Sequence, residues 1–132
     1  MANLSALKAG GVPSTFTGYT TLSAADGDVA VTGIGFKPTW IRVVALYSTG
    51  SETGNIIVAA GYKNAGGTRQ NARTYKASDG AIYNSAGANL YSAYDQAAAL
   101  AAGVLKTFDA DGFTIDKTAY AFACDIHWIV GR

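Results

Sequence analysis

The feature that most constrains this chain lies near its C-terminal end. From Tyr120 to Val130, every second residue is large and apolar: Tyr120, Phe122, Cys124, Ile126, Trp128 and Val130. The intervening Ala121, Ala123, Asp125, His127 and Ile129 occupy the opposite phase. A period of two over eleven residues fits a β-strand with one face in a core and fits no helix. Just upstream, Val104–Phe108, the turn DADG and Phe113–Asp116 read as a β-hairpin, with Gly112 expected in the left-handed region and Asp109 and Asp111 expected to bond their own backbone.

Further strands are expected from Tyr19 to Leu22 and from Val29 to Thr32, with a turn between them that places Gly27 at positive φ. Trp40–Tyr47 is apolar on nearly both faces, as a central strand covered on both sides would be. Asn55–Ala60 reads as another strand. Exposed strands are expected over Thr68–Lys76 and Ala81–Asn84, with Asn89–Tyr94 pairing against them. Asp95–Gly103 carries the one helix signal, an Asp N-cap followed by alanines and a C-terminal Gly, and is at most two turns long.

Short strands with regular turns must each bury one face. The expected fold is therefore all-β, an antiparallel two-sheet β-sandwich, jelly-roll-like, with an extended N-terminal arm and at most one short helix. Residues 1–18 form the arm, with Leu4, Leu7 and Val12 as its assembly contacts, and residues 19–132 form a single domain of adequate size for one core. Phe36, Trp40, Phe113, Phe122, Ile126 and Trp128 are the expected core.

Composition narrows the functions. Ten Lys and Arg against nine Asp and Glu give a net charge of +1, so no basic stripe points to nucleic acid. Charged residues make up only 14%, and small neutral residues, sixteen of them Gly, take their place. Such a surface has little charge repulsion to keep copies apart. The apolar stretch Ala97–Leu105 is far shorter than the ~20 residues of a membrane span. A single Cys124 gives no internal disulfide, and the N-terminal segment lacks a signal peptide's pattern, so a cytoplasmic origin is expected.

Candidate chemistry fails stretch by stretch. Gly33-Ile34-Gly35 suggests a nucleotide-binding turn, but Pro38 stands where a third glycine belongs and a β-branched strand follows instead of a helix. DADGFTID has part of a calcium loop without its terminal Glu or flanking helices. His127 is the only histidine, which leaves no histidine metal cluster, and Cys124 lies in the opposite phase and cannot serve it as nucleophile. No catalytic residue, cofactor or metal is expected. The polar middle, by contrast, holds Tyr62, Arg69, Arg73, Tyr75, Tyr83, Tyr91 and Tyr94, residue types suited to contact with a glycan or a partner protein.

VTGIGFKPTWIRVVAL (Val31–Leu46), followed far downstream by DGFTID and a final strand ending WIVGR, resembles a pattern of small bacteriophage virion proteins. The resemblance covers roughly residues 29–47 and 109–131. It implies a β-sandwich module of tail fibres or head surfaces, assembled in several copies, with no catalytic residue to carry over. The chain is short and has no repetitive stalk, which favours a head-decoration protein over a fibre. On this reading the partners are other virion proteins and copies of the chain itself, with a homo-trimer expected. A host surface glycan is the alternative partner, for a tail-associated receptor-binding module, and neither nucleic acid nor membrane is involved.

Overall fold

The computed structural model describes residues 14–47, 58–66, 71–76, 81–86, 89–94 and 100–132, and of 46, 47, 58, 59, 71–76, 81–86 and 94 it describes the backbone. Ten strands occur among them: β1 (Thr15–Leu22), β2 (Gly27–Val31), β3 (Trp40–Tyr47), β4 (Val58–Asn64), β5 (Asn71–Lys76), β6 (Ala81–Ala86), β7 (Tyr91–Tyr94), β8 (Leu100–Asp109), β9 (Gly112–Tyr120) and β10 (Cys124–Gly131). They form two open antiparallel sheets, a six-stranded one ordered β1-β10-β3-β4-β5-β6 and a four-stranded one ordered β2-β9-β8-β7. The fold is an all-β sandwich. Its first two strands pair with its last two, β1 with β10 and β2 with β9, which is the nested winding of a jelly roll. The strands β3 to β6 depart from that pattern and run as a plain meander.

The alternation at the C-terminal end does what its period requires. Cys124, Ile126, Trp128 and Val130 are buried, while His127 is exposed. Trp128 meets Phe113 of the other sheet edge-to-face, with centroids 5.2 Å apart, and its indole N–H donates to Thr20 Oγ1 at 3.1 Å. An indole buried without that acceptor would keep an unpaired donor, so the Thr20 hydroxyl makes Trp128 tolerable there. Ile41, Val43 and Ala45 of β3 and Phe113 and Ile115 of β9 complete the centre of the core. Phe36, Phe122 and Ile126 are buried as expected, whereas Trp40 is only half-buried, its ring lying over Gly131 where a Cβ would collide with it.

Several expectations need correction. The strand expected from Tyr19 begins at Thr15, because Thr15 to Gly18 continue the ladder with β10, so four residues assigned to the arm belong to the sheet. Leu4, Leu7 and Val12 lie outside the described residues. The final strand does not run unbroken from Tyr120: β9 ends there, residues 121–123 bend, and β10 starts at Cys124. The helix signal fails in its second half, because Leu100–Gly103 are strand, hydrogen-bonded to β7 and β9. Local helix propensity is weak against two ladders of tertiary pairing. The segment 89–94 also changes sheets: β7 pairs with β8, not with β5 or β6.

Gly33 and Gly35 have φ of +84° and +86°, and Gly27 of +123°. Gly112, expected in the left-handed region, is not among the positive-φ glycines, and serves another purpose: a Cβ there would overlap the Val31 carbonyl oxygen. It is glycine so that β2 can approach the hairpin end.

Candidate functional site

The link between the two segments that looked most like chemistry is structural. The Asp111 carboxylate, at the β8–β9 turn, accepts the N–H of Gly35 at 2.6 Å and of Gly33 at 3.0 Å. Between them Ile34 donates its N–H to the Asp111 carbonyl at 3.2 Å. Backbone N–H groups converging from a turn with left-handed glycines form an anion-binding concavity. Here the anion is the protein's own carboxylate, so no phosphate is needed to satisfy it. Asp109, its neighbour, accepts the hydroxyls of Thr107 and Thr114, both at 2.7 Å, and these bonds hold its carboxyl below the usual range. Neither aspartate bonds its own backbone as the sequence suggested.

His127 and Cys124 lie on opposite faces of β10, the histidine exposed and the thiol buried, so they form no nucleophile–base pair. Burial, and next the Asp125 charge, push the Cys124 thiol up to about 11. Burial drives the Tyr91 phenol well above the ordinary tyrosine range, and Cys124 adds to the rise. Tyr91 was expected to contact a ligand. It is a core residue with 1% exposure, because Gly103 opposite it leaves room for the ring and a Cβ there would collide with it.

The other expected contact residues are split by the topology. Tyr62 is exposed on β4. Arg73 and Tyr75 stand on β5, opposite Ala60 and Val58, and Tyr83 stands on the edge strand β6. Tyr94 belongs to the other sheet, opposite Leu100, and Arg69 lies outside the described residues.

The structure gathers a different group around Tyr62. β3, expected to be covered on both faces, leaves Arg42 and Val44 exposed on the outer face of the six-stranded sheet. Cross-strand register aligns Thr17, Ile129, Arg42 and Tyr62 in one row, and Tyr19, His127, Val44 and Ala60 in the next. Residues paired this way have Cβ atoms about 5 Å apart. The small Ala60 among larger outer-face residues leaves an open hollow of about 650 Å³, walled by Thr17, Arg42, Val44, Tyr62, His127 and Ile129. His127 stacks on Tyr19 with centroids 5.8 Å apart, which fixes the imidazole at the rim. Arg42 makes no hydrogen bond or ion pair among the described residues. Nothing in the sequence marked Arg42 and His127 as neighbours of Tyr62, since only the β10-β3-β4 order brings them together.

No family model, curated protein or solved structure matches the chain.

Proposed function

We propose that the chain is a non-enzymatic structural protein of a bacteriophage particle, displayed on the head surface as an oligomer and working through contacts rather than chemistry. The observation that carries this reading is the Asp111 clasp. The two segments on which the resemblance to phage virion modules rests, 31–46 and 109–116, are joined by it into one hydrogen-bonded unit, so the pattern has a physical cause. A second point supports display among copies. Among the described residues β1, TFTGYTTL, is an edge strand, and it carries no charge and no proline, the features by which edge strands commonly avoid pairing with other chains. Deleting residues 2–13, which stops short of β1, leaves a folded sandwich that no longer joins particles. Particles imaged with and without the protein then lose density at the head. Full decoration by the truncated protein overturns the role of the arm, and unchanged particles overturn the reading itself.

A tail-associated glycan-binding or receptor-binding module is the second reading, favoured by the open hollow beside the exposed Tyr62 ring. A host-cell adsorption assay separates the two, since a decoration protein leaves adsorption unchanged when it is removed.

A further inference from the structure

The outer-face hollow is more specific than a generic contact surface. We infer that it is a binding site for an acidic saccharide unit, a sugar ring bearing a carboxylate, with Arg42 as the anion receptor and Tyr62 as the stacking wall; this deepens the glycan-binding reading and rests on it.

Arg42 is exposed on β3 and lines the hollow. It has no carboxylate partner among the described residues. Asp125, on the same face of β10, is two rows from Arg42 and is already engaged by Thr21 Oγ1 at 2.5 Å. A planar five-donor fork with no partner among the described residues, beside apolar surface, suits bidentate capture of a carboxylate. The walls supply the rest of a sugar site. The ring of Tyr62 and the side chains of Val44 and Ile129 offer apolar area for the C–H face of a sugar, while the Thr17 hydroxyl, the Tyr62 hydroxyl and the His127 imidazole offer partners for its hydroxyls. The volume, about 650 Å³, falls within the ~300–1,000 Å³ of small-molecule pockets.

Topology argues against an extended peptide. The floor of the hollow is β10, β3 and β4, each hydrogen-bonded to neighbours on both sides, so main-chain pairing is open only along the β1 edge beside Thr17 and not within the hollow. A ligand there must be recognised by side chains alone, which a compact polyhydroxylated ring satisfies.

The test is a titration of the full chain, followed by amide chemical shifts, with sodium glucuronate, glucose, sodium acetate and a glutamate-rich peptide as separate probes. Glucuronate is expected to give saturable shifts centred on Arg42, Tyr62 and His127, with glucose and acetate each at least about tenfold weaker, since neither supplies both ring and carboxylate. Arg42→Ala abolishes the preference for glucuronate over glucose, and Arg42→Lys, which keeps the charge and loses the fork, weakens it. Unchanged shifts elsewhere in both variants establish that the fold is intact. Equal binding of glucose and glucuronate overturns the acidic specificity and leaves the glycan reading standing. Equal shifts with acetate reduce the site to an anion site and overturn the inference. Tighter binding of the peptide overturns it in favour of a protein partner, and no shift with any probe removes both the inference and the glycan reading.

Discussion

Asp111 holds Gly35 from seventy-six residues away, accepting its backbone N–H at 2.6 Å while the other carboxylate oxygen takes that of Gly33. One side chain thereby fixes the loop between β2 and β3 to the β8–β9 turn. Both bonds are charge-assisted but solvent-exposed, which lowers their net worth. Asp111→Ala should destabilise the protein by about 1–2 kcal/mol, with Asp111→Asn, which keeps one acceptor, in between. Urea denaturation checks this, and an alanine variant as stable as the parent would show that the clasp does not hold the loop.

The glycines of the two partners fail for different reasons. At Gly33 and Gly35 an added Cβ meets nothing within 4 Å, so the cost of alanine is backbone strain alone, about 1 kcal/mol at each position. At Gly112 the Cβ overlaps the Val31 carbonyl, and β2 must move away from the hairpin end. Gly112→Ala should cost about 3 kcal/mol or more. Thermal melts of the three single variants rank them, and a Gly112→Ala protein no less stable than Gly33→Ala would contradict the steric account.

These two relationships mark the limit of what the sequence could tell. Periodicity revealed β10, because Cys124 to Val130 alternate long enough to fix both element and facing, and turn chemistry revealed the β8–β9 hairpin. The clasp could not be foreseen, since it depends on β2 lying beside β9, a pairing set by the whole sandwich. Leu100–Gly103 misled because Asp95 and the alanines carry a local helix signal that pairing overrides. Tyr91 misled because its polar neighbours said surface, while its fate was decided by Gly103 across the ladder. The hollow was half legible: Tyr62 stood out as an aromatic among polar residues, but Arg42 was hidden in a strand that looked apolar on both faces.

Lys117 is 5% exposed, with its ammonium donating to the Ser23 carbonyl at 3.1 Å and to Ser23 Oγ at 3.2 Å. Burying a cation costs more than two such bonds return, so an apolar side chain of similar length should do as well. Lys117→Met is expected to lie within about 1 kcal/mol of the parent or above it, whereas Lys117→Ala, which empties the site, should lose about 2 kcal/mol or more. Equal, large losses for both variants, measured by denaturant midpoints, would mean that the charge itself is required.

Cys124 makes stability depend on alkaline pH. Its thiol ordinarily ionises at 9.0 and in the folded chain at about 11, so the native state holds the proton that the unfolded state gives up. The resulting stabilisation is fully present below pH 9 and is lost as pH rises toward 11, with a ceiling on the order of 2–3 kcal/mol. Tyr91, also shifted upward, adds to the loss in the same direction at still higher pH. Stability should fall between pH 9 and pH 11, and fall less in Cys124→Ala. The native thiol should resist alkylation at pH 8 until denaturant is added; rapid labelling of the folded protein would refute the burial assigned to it.

The nesting of β1 on β10 and of β2 on β9 also sets a timetable. A ribosome releases Thr15–Val31 first, yet every ladder partner of those residues lies beyond Gly112. The β3–β6 meander can assemble as it emerges, because its strands pair with immediate neighbours. The two leading strands must wait, unpaired, for nearly a hundred more residues of synthesis. Closing so distant a pairing is slow, so the sandwich should be completed only late in translation or after it, by the return of the chain to its own beginning.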